Sequence, residues 1–371
     1  MSIDFFSRLP MHGETRFLPG DDRSAADDSR YIDYLAESAK TIERAGFGGV
    51  LMVNAPIADE PWMVCSLLAR ETQHLRFVTA FQPFQVSPWT AVQMTATYQR
   101  ATGNRMIWNI INGGSEIVQQ QVGDFTPHDE RYDRAMEFMD MARGFWTGPG
   151  FQYEGKYFRA NGGGLAGPLA QAEMPLICTA GSSEAARELG AKHADYYLMR
   201  AERPHEMAEL IADVRQRARA YGREHAIRFG MSVDVITRET DEAARAEANR
   251  IFTEAVARGA AKAGATSAGR RSARKLGFEH EFKREEERER SYDEFFIYPN
   301  VWSGIGYFGI PPGCALVGSY EDVVARIREY HDVGIDLFFL AGYPHLQEVD
   351  RIGTHILPYF SAERAPAGIQ T

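Results

Sequence analysis

PLICTAGSSEAARELG, residues 175–190, changes character at its middle. The first part is a short apolar run of strand length. The second spaces Ala185, Ala186 and Leu189 at helical intervals behind two serines. ADYYLMR (194–200) then opens a second apolar run. Strand, helix and strand in this order, with runs that are apolar throughout rather than alternating, describe parallel strands covered by helices.

The same rhythm extends in both directions. Upstream, IDFF (3–6), GGVLMV (48–53), LRFVTAFQ (75–82) and RMIWNII (105–111) are strand candidates. Helical spacing follows them at 30–45, 61–72, 88 to about 100 and 130–147. Downstream, IRFGMSVDVIT (227–237) and IDLFFLAG (335–342) are strands, with helices at 203–222, from about 240, and at 344–355. Eight strands result. An open doubly wound sheet and a closed (β/α)8 TIM barrel both accommodate them. The open sheet calls for a GxGxxG turn after the first strand, and LPMHGETRFLPG (9–20) stands there instead, so the barrel is the expected fold. One domain, 1–371, is expected, since barrels of this kind exceed 250 residues as single units. Two segments interrupt it. Residues 149–174 suggest a hairpin and a Gly-rich loop inserted at the C-terminal face. Residues 256–300, passing through GRRSARK and EFKREEERER, suggest either a solvated helix hairpin or a mobile lid over the barrel mouth.

The net charge of −10, with no clustered basic surface, argues against a nucleic-acid partner. Cys65, Cys178 and Cys314 are widely separated, so neither a metal site nor a disulfide framework is expected. The N-terminus has no basic-then-apolar signal, and no apolar run reaches the roughly 18 residues of a membrane span. The expected location is cytoplasmic, with no membrane partner.

Barrel chemistry sits at the C-terminal ends of the strands. Those ends carry Asn54, Gln82, Asn109, Asn112, Gly113, Gly181, Ser182, Ser183, Arg200, Ser232, Asp234, Tyr343 and His345. Gly181, Ser182 and Ser183 suit a phosphate, because a helix N-terminus offers free N–H groups and glycine permits close approach. An ordinary serine N-cap gives the same letters. Asn109 and Asn112 can donate and accept, which suits a flavin ring edge or ribityl hydroxyls; a buried structural network is the alternative. Trp108 either underlies such a ring or fills the core. Arg131 and Tyr132 open a helix where they can reach a phosphate. Asp59 and Glu60 suit a helix cap. His12, Tyr343 and His345 lie at neighbouring strand ends as candidate polar walls. No hydrolytic set is present, which favours a cofactor enzyme.

FFSRLPMHG (5–13), AGFGGVLMV (45–53), NRMIWNIINGGS (104–115), HDERYDRAMEF (128–138), GSSEAARELG (181–190), DVITRETDEAARAEA (234–248), YPNVWSGIGYFG (298–309), ALVGSYEDVVARIREY (315–330) and GIDLFFLAGYPHLQE (334–348) together resemble the bacterial luciferase-like flavin monooxygenases, most of all the alkanesulfonate monooxygenase branch. The resemblance implies FMN as cofactor, used as FMNH2 from a separate NAD(P)H:flavin reductase. It implies that O2 adds to form a flavin C4a-(hydro)peroxide that oxygenates a small organic substrate. In the alkanesulfonate branch aldehyde and sulfite are released. It places Asn109, Asn112, Arg131, Tyr132, Gly181, Ser182 and Ser183 on the flavin. Asn54, Tyr343 and His12 are the candidates for substrate or peroxide hydrogen bonds. A homodimer or homotetramer is also implied. An F420-dependent dehydrogenase and a non-catalytic flavin-binding protein are the competing readings.

The substrate half departs from that branch. Ala58 replaces a cysteine, Ser232 and Asp234 replace an arginine and a histidine, and Gly309 replaces an arginine. A sulfonate needs paired charge or strong donors, and Asp234 is expected to repel it if it faces the cavity. A neutral or cationic substrate, organosulfur or otherwise, is therefore expected.

Overall fold

The computed structural model describes residues 2–11, 30–56, 58–113, 116–258 and 291–363. His12, Gly114, Ser115 and most of the expected lid, 259–290, lie outside the described residues. The first part of the chain contains β1 (Asp4–Arg8), α1 (Tyr31–Arg44), β2 (Gly49–Met52), α2 (Pro61–Leu68), β3 (Arg76–Phe81), α3 (Pro88–Thr102), β4 (Met106–Ile110), α4 (Glu116–Gln121) and α5 (His128–Trp146). The hairpin β5 (Phe151–Glu154) and β6 (Arg159–Gly163) follows, then β7 (Ile177–Ala180), α6 (Glu184–His193), β8 (Tyr196–Arg200), α7 (Pro204–Arg219), β9 (Arg228–Arg238) and α8 (Asp241–Ala257). The chain continues with β10 (Phe296–Tyr298), β11 (Val301–Trp302), β12 (Ala315–Ser319), α9 (Tyr320–Asp332), β13 (Leu337–Ala341) and α10 (His345–His355). The hydrogen-bonding order β9-β13-β1-β2-β3-β4-β7-β8, with β8 also paired to β9, closes eight strands into the expected (β/α)8 barrel.

The chain divides into two compact units. The first comprises Met1–Val50, Met199–Ile211 and Phe229–Thr371. In it β13 pairs in parallel with β1, setting Phe5 against Phe338 and Phe6 against Phe339. Their rings pack at centroid distances of 5.8 and 5.5 Å. β9 is long enough to serve two partners. Gly230–Asp234 pair with β13, and Asp234–Arg238 pair with β12. The sequence gives no strand signal at β10, β11 or β12. These short pieces add to the edge of β9, and behind them Trp302, Phe252, Phe295 and Phe308 form a second apolar cluster.

The second unit comprises Leu51–Leu198 and Ala212–Arg228. Its strands β3, β4 and β7 are parallel, with Ala80, Asn109 and Cys178 level with one another. Trp108 is fully buried and donates Nε1–H to Thr95 of α3 at 2.8 Å. Its ring touches those of Trp62, Phe81 and Phe138, so it fills the space between strand and helices. Arginines close the opposite, N-terminal end of the strands. Arg105 donates to the carbonyls of Ala69, Thr72 and Thr102. Arg223 donates to Lys192 and Ala194, and Arg143 to His193. Cations suit these carbonyls because helix C-termini carry partial negative charge.

Candidate active site

In the second unit the end of β7 runs into α6 through Gly181-Ser182-Ser183. Gly181 has φ +144, and a Cβ built there would lie 2.6 Å from Ala186 Cβ and 3.2 Å from the Tyr132 hydroxyl. Only glycine tolerates that backbone and that crowding. Ser183 caps α6, its Oγ accepting from Ala186 N–H at 3.2 Å. Tyr132 is buried, and its hydroxyl interacts with Ser183. The Tyr197 hydroxyl donates to the Gly181 carbonyl, and Arg187 donates to the Ser182 carbonyl at 2.9 Å. Three side chains thus fix the loop, while Gly181 and Ser182 stay exposed. An exposed, pre-shaped helix N-terminus is a ready anion site.

Asn109 precedes the end of β4. Since neighbouring strand residues face opposite ways and Trp108 faces α3, Asn109 faces the barrel interior. It is buried, and its Oδ1 has no hydrogen-bond partner among the described residues. Such an atom calls for a ligand donor, or water. Asn112 is buried two residues beyond the strand. Arg131 is buried too. It donates to the Gly113 and Thr126 carbonyls at 3.3 and 3.4 Å, and its Nε has no partner among the described residues. These donations hold the loop after β4. Asn54 forms a reciprocal amide pair with Gln85, at 3.1 and 3.3 Å. Glu60 caps α2 through Met63 N–H at 2.8 Å.

In the first unit the structure alters the electrostatic expectation. Asp234 is fully buried and forms an ion pair with Arg8, the last residue of β1. Its charge is compensated, so the isolated repulsive carboxylate expected from the sequence is not what the fold presents. Burial pushes the Asp234 carboxyl up to about 7, although Arg8 pulls the other way. Ser232 and Tyr343 are half-buried, and the Tyr343 ring packs against the apolar cluster behind β12. Gly309 has φ +72, a left-handed backbone that disfavours an arginine. Sequence reasoning misses Arg8, Tyr197 and Gln85. Arg8 and Gln85 are signalled only by their positions at and beyond strand ends, and Tyr197, inside β8, carries no such signal.

Two histidines are kept neutral. Burial pushes His345 down to about 3, with Arg8 adding to the effect. Burial does the same to His193, also to about 3, with Lys192 adding. Unfolded histidine titrates near 6.5, so between about 6.5 and 3 the unfolded chain binds more protons. The stability each contributes is complete above that window and is lost as pH falls through it. Urea unfolding of wild type and His193→Gln checks this. The stability of wild type relative to the variant is expected to shrink by about 1–3 kcal/mol from pH 7 to pH 4. A difference that stays constant over that range contradicts the assignment.

The three cysteines are free and buried, and burial pushes all three thiols up, that of Cys65 to about 12. None is poised as a nucleophile. No helix among the described residues is long and apolar enough to cross a membrane.

Comparison with known proteins supplies an independent line. Residues 15–337 match the family model described as luciferase-like monooxygenase. Among solved structures, a long-chain alkane monooxygenase (LadA) superposes with TM-score 0.77 at 21% identity, covering 98% of this chain and 92% of that one. DmoA from Hyphomicrobium sulfonivorans gives TM-score 0.76 at 19% identity, covering 100% and 91%. A riboflavin lyase (RcaE), solved with modified FMN and its substrate riboflavin, gives TM-score 0.74 at 19% identity, covering 100% and 94%. At these identities the superpositions speak for the fold.

Proposed function

The chain belongs to the luciferase-like monooxygenase family, and from that premise we propose that it is the oxygenating component of a two-component system. In this reading it receives FMNH2 from a separate NAD(P)H:flavin reductase and uses O2 to oxygenate a small organic substrate, with organosulfur compounds the first class to test. The observation that carries the reading is the Gly181-Ser182-Ser183 loop, fixed by Tyr132 and Tyr197 at the start of α6.

The residues present fit the cofactor. The Ser182 hydroxyl and the positive end of α6 would hold the phosphate, with Gly181 admitting it to the backbone. The Tyr132 hydroxyl lies 3.2 Å from where a Gly181 Cβ would sit, close enough to join the phosphate's donors. Asn109 Oδ1, which lacks a partner among the described residues, would accept from a flavin N–H. Asn112, also buried, would add a second amide to that set. Arg131 keeps the loop after β4 in place for it. Bound reduced flavin supplies the electrons that activate O2. The protein's share is to bind, orient and exclude water.

The test combines FMN, NADH, a flavin reductase and O2 with a panel of organosulfur compounds and heterocycles. Substrate-dependent oxygenated product and tight anaerobic binding of FMNH2 are expected. Absence of both across the panel overturns the reading, and preferential binding of reduced F420 redirects it to a dehydrogenase.

We also propose a homodimer or homotetramer. Met63 and Leu67 lie one turn apart on α2 and are 65% and 55% exposed, an apolar stripe left uncovered by the described residues. The double variant Met63→Glu/Leu67→Glu is expected to run as a monomer in size exclusion with light scattering. Its unfolding free energy, measured as monomer, changes by no more than about 0.5 kcal/mol, as for surface substitutions generally. An unchanged oligomer rules this face out.

A further inference from the structure

Arg187 stands one turn into α6, and each of its guanidinium nitrogens has a partner within the second unit. Nε and Nη2 both donate to the Ser182 carbonyl, at 3.2 and 2.9 Å. Nη1 donates to Asp213 of α7 at 3.0 Å. Asp213 is held in turn by Arg217 Nε at 3.2 Å. The side chains of Arg187 and Asp213 are 32% and 34% exposed, and an ion pair that open to water adds little to folding stability. What it fixes is a direction.

A trans peptide is flat, and its C=O and N–H point opposite ways. The Ser182 carbonyl and the Ser183 N–H belong to one such unit. Arg187 grips the carbonyl and so turns the Ser183 N–H away from itself. The preceding unit is set in the same manner. The Tyr197 hydroxyl grips the Gly181 carbonyl, which turns the Ser182 N–H away from β8. Both peptides are trans. Among the described residues neither N–H has a hydrogen-bond partner, while the Ser183 hydroxyl is already occupied by Ala186 N–H. Two consecutive backbone donors are therefore aimed and unspent.

We propose that Arg187 is a positioning residue for the flavin phosphate: by fixing the Ser182–Ser183 peptide it lets the loop tell a phosphorylated flavin from an unphosphorylated one. The proposal rests on the flavin reading, which assigns the phosphate to this loop. A direct ion pair between Arg187 and the phosphate is the rival role. The geometry opposes it, because the charge is met by Asp213 and the nitrogens are committed. Lysine is no substitute in the positioning role. A single ammonium lacks the planar fork that grips the carbonyl twice and still reaches Asp213.

The test is anaerobic titration of flavin-free protein with reduced FMN and with reduced riboflavin, which lacks the phosphate. Wild type is expected to bind reduced FMN more tightly. Arg187→Met is expected to weaken reduced FMN about 10-fold, the worth of one oriented hydrogen bond to a charged group, and reduced riboflavin by less than about twofold. The thermal midpoint is retained. Arg187→Lys loses as much as Arg187→Met. Asp213→Asn, which loosens the guanidinium from α7, shifts the preference in the same direction and serves as the readout should Arg187→Met fail to fold. Arg217→Gln breaks the ion pairs to Asp213, Glu184 and Glu188 without touching the loop, and leaves both affinities unchanged. Equal losses for the two flavins, or wild-type affinity in Arg187→Lys, overturn the proposal. A wild type that does not prefer reduced FMN marks failure of the phosphate reading itself. A preference that survives in Arg187→Met marks failure of this assignment alone.

Discussion

Gly181→Val is expected to lose about 100-fold or more of the affinity for reduced FMN, some 2.7 kcal/mol of binding free energy. The reason is local. A Cβ at this residue meets Ala186 Cβ at 2.6 Å, and the φ of +144 is one that branched side chains do not adopt. The loop must then move, and it carries both Ser182 and the first turn of α6. The Tyr197 bond to the Gly181 carbonyl and the Tyr132 contact with Ser183 move with it. Anaerobic titration followed by flavin fluorescence measures the loss. Circular dichroism shows the barrel intact, because the change lies in an exposed connection. An affinity within threefold of wild type removes the loop from the flavin site.

Asp234→Ala is expected to cost about 3–5 kcal/mol of folding stability, because removing one partner of a buried ion pair strands the other. The stranded group is Arg8, whose side chain is 13% exposed. Replacing both partners by apolar residues of similar size, Arg8→Met/Asp234→Leu, is expected to restore most of the loss. Urea unfolding of the single and double variants measures both effects. A single variant within about 1 kcal/mol of wild type means the pair does not tie β1 to β9 across β13. The two readouts are independent. The first variant fails in cofactor binding with its fold kept, and the second fails in stability.

The barrel strands are legible because each is an apolar run of four or more residues beside a helix with regular spacing. β10, β11 and β12 are not. Val301–Trp302 is too short to show a period, and Ala315–Ser319 runs straight into the capping box of α9, so it passes for a helix lead-in. Gly181-Ser182-Ser183 stands out because its reasons are local: a strand end, a glycine and a helix start. Arg8 and Asp234 are 226 residues apart. Nothing in either segment announces the other, so Asp234 reads as a lone negative charge. Asn54 likewise reads as an available amide until Gln85 is found opposite it.

The arginines that close the N-terminal ends of the strands have a practical consequence. Arg105, Arg143 and Arg223 spend most of their donors on main-chain carbonyls, which every amino acid provides, with Thr72, Met174 and Asp195 as their side-chain partners at the same end. The frame they secure does not depend on which side chains occupy the opposite rim. Loop exchange at that rim, between residues 53 and 60 or 82 and 87, therefore becomes a route to altered selectivity, with Arg105→Met as the variant that should make the same grafts fail.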